Sequence, residues 1–126
     1  MIPHILPLEL CQDPETVGGK AVNLGRLLRA ELPVPGGFAI TTAAFRASFG
    51  GGMSPEIARA IVDAWEGMGA PPVAVRSSAT AEDAAGASMA GQYETILGVR
   101  TGEELLEAVK RCWAAVASPR ALAYLA

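Results

Sequence analysis

Gly18-Gly19-Lys20 opens a stretch of helical periodicity, and a helix start of this kind can hold a phosphate with backbone N–H groups and a lysine ammonium. The full phosphate-loop pattern is not met. Pro14 stands where that pattern wants a glycine, five residues before Gly19, and Ala21 replaces the magnesium-binding Ser or Thr. A bare GGK tripeptide therefore also fits a glycine helix start with a solvated lysine. Arg76, beside Ser77, Ser78 and Thr80, can fork onto a phosphate, and it equally fits an ion pair with Glu82 or Asp83. Between Gly86 and Gly91 the chain can bring backbone amides close to a ligand, since Gly91 has no Cβ to block the approach. Thr95 shares a strand face with Tyr93 and Leu97, so its hydroxyl serves either a ligand or a β-branched packing position. His4 is the only histidine and has no adjacent acid, which suits a surface role. There is no Ser/His/Asp arrangement, no zinc-type Cys/His cluster and no regular carboxylate pair.

These residues need elements to place them. Ala21, Val22, Leu24, Leu27 and Leu28 make one apolar stripe and predict a helix over 18–31, stopped by Pro33 and Pro35. Phe38-Ala39-Ile40 reads as a short buried strand, after which Thr41 or Thr42 caps a second helix running to Phe49. Gly50-Gly51-Gly52 reads as a hinge or loop. Ser54-Pro55-Glu56 supplies a cap, a first-turn proline and a first-turn acid for a helix bearing Ile57, Ile61, Ala64, Trp65 and Met68 on one face. Residues 73–78 predict a strand with Val73 and Val75 inward and Arg76 on the opposite face. Residues 79–91 read as a loop and 92–99 as another strand. Thr101 and Glu104 fit a capping box for the helix of Leu105, Leu106, Val109, Cys112, Trp113 and Val116, and Ser118-Pro119 predicts a last short helix. The order is that of one α+β domain over residues 1–126.

Composition bounds the chemistry. With 51% apolar residues, 126 residues can enclose a core without metal or disulfide staples. No apolar run approaches the roughly 20 residues of a membrane helix, and the first ten residues lack a signal-peptide core, so a cytoplasmic chain without a membrane partner is expected. Cys11 and Cys112 have no CxxC spacing and read as reduced, structural thiols. A net charge of −3, with ten scattered cations, disfavours nucleic-acid binding but leaves room for one anionic small molecule, which needs only two or three well-placed cations.

Four segments occur together in order: GGKAVNLGRLL at 18–28, LPVPGGFAITTAAF at 32–45, VAVRSSATAED at 73–83 and MAGQYETILGV at 89–99. With SPRALAY at 118–124, the chain resembles, over nearly its whole length, the N-terminal nucleotide-binding domain of the phosphoenolpyruvate synthase family, which includes pyruvate phosphate dikinase and rifampicin phosphotransferase. The form MAGQ is closer to the synthase and rifampicin branches than to the dikinase branch. The resemblance implies the first lobe of an ATP-grasp fold, with a mixed sheet and flanking helices, that holds Mg-ATP against a second lobe. It implies that Lys20 and Arg76 bind ATP phosphates and that Gly91 and Thr95, matching the AGQxxT motif, touch the nucleotide. In such enzymes ATP phosphorylates a mobile histidine, which passes the group to pyruvate or another acceptor. The metal-binding acids, the second lobe and the phosphohistidine domain would then lie outside this chain, on further domains or a second polypeptide, and these 126 residues would be inactive alone. The alternative is a non-catalytic interaction or regulatory module built on the same lobe. The segment between Phe49 and Pro71 looks shorter than its family counterpart.

Overall fold

The computed structural model describes residues 3–48, 52–77, 95–114 and 121–125. Five strands form one sheet: β1 (Ile5–Pro7), β2 (Gly37–Ile40), β3 (Val73–Ser77), β4 (Thr95–Val99) and β5 (Ala121–Leu125). Their order is β1-β2-β5-β3-β4, and every neighbouring pair is antiparallel. Five α-helices accompany them: α1 (Pro14–Val17), α2 (Gly19–Arg29), α3 (Thr42–Ser48), α4 (Pro55–Gly67) and α5 (Gly102–Ala114). A 3₁₀ turn, Leu8–Leu10, follows β1.

Strand alternation divides the core between the two sheet faces. Phe38, Ile40, Val73, Val75, Val99, Ala121 and Ala123 meet Ile57, Ile61 and Trp65 of α4 and Leu105, Ala108, Val109 and Cys112 of α5. The alternate residues Ala39 and Leu122 face the other way, onto Leu8, Cys11, Val17, Ala21 and Leu24. The sheet is thus a middle layer, covered by α4 and α5 on one side and by α1, α2 and the 3₁₀ turn on the other.

The helix starts form as the sequence predicts. Ser54 Oγ accepts from Ile57 N at 3.2 Å with Pro55 in the first turn of α4. Thr101 Oγ1 caps α5, accepting from Glu104 N at 3.1 Å, while Glu104 Oε1 reaches one residue past the cap and accepts from Arg100 N at 2.9 Å. Trp65, buried on α4, donates its Nε1 to Pro71 O at 2.8 Å and ties the helix end to the approach of β3.

Two expectations are corrected. Residues 121–125, predicted within a last short helix, form β5 between β2 and β3; Ala-Leu-Ala-Tyr-Leu has helical propensity, but two flanking ladders offer its backbone groups a partner on each side, and that tertiary pairing prevails. The sheet is antiparallel throughout rather than mixed. The helix expected over 18–31 forms as α2, and a short α1 that the sequence did not announce precedes it, with Gly18 at φ 87 and ψ 159 between them. The α+β class itself stands. β1 and the 3₁₀ turn, which the sequence reading did not foresee, add a strand and a lid to the α2 side. The expected loop at 79–91, Gly50-Gly51, residues 92–94, Val116 and Ser118-Pro119 lie outside the described residues.

Two packing details generate tests. A Cβ on Gly25 would overlap the Leu8 carbonyl oxygen and stand 3.0 Å from that of Cys11, whereas one on Gly67 meets nothing within 4 Å. Gly25→Ala is therefore expected to cost about 3 kcal/mol, and Gly67→Ala, at the end of α4, to stabilise by about 0.5–1 kcal/mol, both read from urea denaturation midpoints. Cys11 is buried, its Sγ 3.4 Å from Pro7 O, and burial pushes the thiol from its ordinary 9.0 to about 11 against the pull of the Arg29 cation. Above pH 9 the unfolded chain releases this proton while the folded chain keeps it. Stability should accordingly fall between about pH 9 and pH 11, and Cys11→Ser should flatten that decline in a pH series of thermal melts.

Candidate functional site

Lys20 lies in the first turn of α2, directly after the Gly18 break. Its position is set by a chain of local bonds. Asp13 caps α1, its Oδ1 accepting from Glu15 N at 3.0 Å and its Oδ2 from Thr16 Oγ1 at 2.8 Å. Thr42 then donates its Oγ1 to Glu15 O and Thr16 O, both at 3.0 Å. Thr42 opens α3 two residues after Ile40, the last residue of β2, so the start of α2 is pinned to that end of the sheet. Ile40 pairs with Ala121, and Ala121 with Ser77; the same sheet end therefore carries the last residues of β3.

Arg76 is the penultimate residue of β3. It stands opposite Leu122 on one side and Thr95 on the other. Directly paired residues share a face, and Leu122 packs in the cluster beneath α2. Arg76 and Thr95 therefore rise from the face that α2 covers, near the edge where it no longer does so: the apolar cluster under α2 contains Leu6, Ala39, Leu122 and Tyr124 from β1, β2 and β5, and among the described residues none from β3 or β4. Lys20 lies about half a turn out of phase with Arg29, whose guanidinium donates to Glu9 O at 2.8 Å. Lys20 thus projects from the flank of α2 turned away from the segment that follows edge strand β1.

The structure thus pairs Arg76 with Thr95, and the start of α2, which carries Lys20, is tied through Thr42 to the same end of the sheet. Thr95 is exposed; Lys20 and Arg76 are half-buried. Gly91 lies outside the described residues. Arg76 Nε is buried and without a hydrogen-bond partner, and the next side chain, Ser77 Oγ, is buried and unpartnered on the opposite face. Buried donors normally find partners; among the described residues Trp113 Nε1 is the third buried side-chain atom without one. Chemically, two cations and a hydroxyl on a shared surface suit a polyphosphate.

Two surface grooves of about 410 and 400 Å³ lie elsewhere, one between β4 and α5 and the other along α4 and Leu106; neither is lined by Lys20, Arg76 or Thr95. A single lobe presents its share of a cleft as an open sheet face, which encloses little volume. Among the described residues no three His, Cys, Asp or Glu side chains cluster to hold a metal ion, so these residues alone do not fit a magnesium site. Nor is any helix among them long and apolar enough to cross a membrane. Leu97, 71% exposed, lines the groove between β4 and α5.

Residues 14–50 and 49–126 match the family described as pyruvate phosphate dikinase, AMP/ATP-binding domain. The chain is 38% identical to a phosphoenolpyruvate synthase of Aeropyrum pernix over 151 aligned residues, covering 86% of this chain and 18% of that protein. It is 35% identical to an uncharacterized phosphotransferase of Bacillus subtilis, covering 90% of this chain and 16% of that protein, and 38% identical to a rifampicin phosphotransferase of a Streptomyces species, covering 86% and 17%. The chain spans about a fifth of the length of the curated relatives it matches. The alignment of 151 positions exceeds the 126 residues of the chain, so that relative has segments without a counterpart here. The family match divides at residues 49–50, where the connection between α3 and α4 begins, as expected for a shortened segment. On this match the chain belongs to the pyruvate phosphate dikinase AMP/ATP-binding domain family.

Proposed function

We propose that these 126 residues are one lobe of the ATP site of a phosphoenolpyruvate synthase-like dikinase. The observation that carries the reading is Arg76, held opposite Thr95 near the end of β3 with its Nε buried and unpartnered. Lys20 and Arg76 bind and orient the phosphates, the lysine as a compact charge and the arginine as a planar fork. Thr95 donates its hydroxyl to the nucleotide, and Gly91 allows close backbone approach. Holding the polyphosphate between two fixed cations lowers the cost of developing charge when the terminal group moves.

Transfer of that group to a phosphocarrier histidine, and from there to pyruvate or another acceptor, requires parts that relatives of which this chain spans less than a fifth have room to carry. The lobe therefore contributes binding and charge, while the acceptor, the magnesium ligands and the second wall of the site come from further domains or a second polypeptide. No step of the transfer is completed within the described residues.

With half a site, the chain should bind Mg-ATP no tighter than about 1 μM and should not turn it over. In amide chemical-shift titrations, Lys20→Ala and Arg76→Ala should each weaken ATP by about tenfold or more, and Arg76→Lys should recover only part of the loss because an ammonium cannot fork. Submicromolar affinity with turnover would contradict the half-site. Unchanged binding in both alanine variants, with circular dichroism showing a retained fold, would remove Lys20 and Arg76 from the site.

A further inference from the structure

β4 is an outermost strand of the sheet and runs through Arg100 and Thr101 into α5, and the groove of about 410 Å³ lies between the two. A bulge shapes its strand side. Ile96 and Val99 are three residues apart, yet both pack against the core that α5 covers, where strict alternation would send them to opposite faces. The pairings Val75–Ile96 and Val73–Val99 leave Leu97 and Gly98 opposite the single residue Ala74, and Gly98 takes φ +68 to absorb the extra residue. Leu97 lines the groove beside Ile96 and Val99 and stays 71% exposed.

The helix side is acidic. Glu103, Glu104 and Glu107 of α5 line it, and Arg111 is the one cation among the lining residues. Glu104 accepts from Arg100 N at 2.9 Å and keeps its charge. Glu107 meets Lys110 only at 3.8 Å, and both side chains are exposed, so that ion pair does little to neutralise it. Glu103 and Glu107 are one helical turn apart and present their carboxylates to the same side.

We propose that this groove docks a basic amphipathic segment of a partner protein, with an apolar anchor against Leu97 and Lys or Arg side chains against Glu103 and Glu107. The surface itself selects that occupant. An apolar floor with a polar rim is the anatomy of a protein-binding patch, and three carboxylates against one guanidinium attract a basic segment and repel an acidic one. The bulge interrupts the row of backbone groups along the outer edge of β4, so side chains seated in the groove hold the partner, and no strand is added to the sheet. Lys20, Arg76 and Thr95 do not line the groove, so this docking surface stands whether or not the lobe holds a nucleotide.

The test selects random linear peptides on the 126-residue chain. Enriched sequences should combine Leu, Ile or Phe with Lys or Arg, and the best of them, synthesised, should shift the amides of residues 96–99 and 103–111. Leu97→Ala should weaken that peptide by about tenfold. Glu103→Gln together with Glu107→Gln should weaken it by about three- to tenfold and reduce its sensitivity to salt. These side chains are exposed, and Glu104, which serves the start of α5, is left in place, so circular dichroism should be unchanged. Failure to enrich any peptide, enrichment of acidic or uncharged ones, or shifts confined to other residues would overturn the proposal, as would binding that survives both sets of substitutions. Concentration-dependent broadening of residues 96–99 without peptide, abolished by Leu97→Ala, would give the groove to a second copy of the chain and overturn it as well.

Discussion

The double hydrogen-bond ladder of β5 is the constraint on which the arrangement rests. Residues 121–125 lie between β2 and β3 and pair with both, joining the half of the sheet under α2 to the half that bears Arg76. Ala121 and Ala123 are small enough to admit the helices of one layer, while Leu122 plugs the other layer beneath α2. Without this strand, β3 and β4 would have no fixed register relative to Lys20. One five-residue segment thereby determines both core layers and the relation between two cations more than fifty residues apart in the chain.

Electrostatics gains from that rigidity. Exposed charges on mobile chains contribute little to binding, because ordering them offsets the attraction. Here Arg76 rises from a strand paired on both sides, and Lys20 follows a junction held by Asp13, Thr16 and Thr42. The cost of placing these positive charges is thus met during folding, and part of it is the desolvation of Arg76 Nε without a partner.

Much of this was readable from the sequence for local reasons. The proline at the start of α4 and the Thr101 cap of α5 are short-range signals, and they formed as expected. The inward valines and outward Arg76 of β3 followed from strict alternation. Ordered motifs pointed to Lys20, Arg76, Gly91 and Thr95, and the register then set two of them face to face. What stayed hidden was non-local. Ala121–Leu125 looks helical because nothing within five residues reports the two strands waiting on either side. β1 escaped notice because prolines at positions 3 and 7 obscure its alternation, although Thr41 N and Oγ1 bind His4 O and Pro3 O just ahead of it. The exposure of Leu97 depends on a register shift that only paired coordinates reveal.

Gly98 has a further effect on how this lobe coexists with its neighbours. An outermost strand with a protruding leucine would, if straight, offer a continuous row of amide and carbonyl groups to any other extended chain and invite fibrous stacking. The left-handed glycine and the displaced pairing beside it bend that row and interrupt its spacing. Accessibility and aggregation are thereby separated: an oily side chain can stay in water while the strand that carries it makes a poor template for polymer growth.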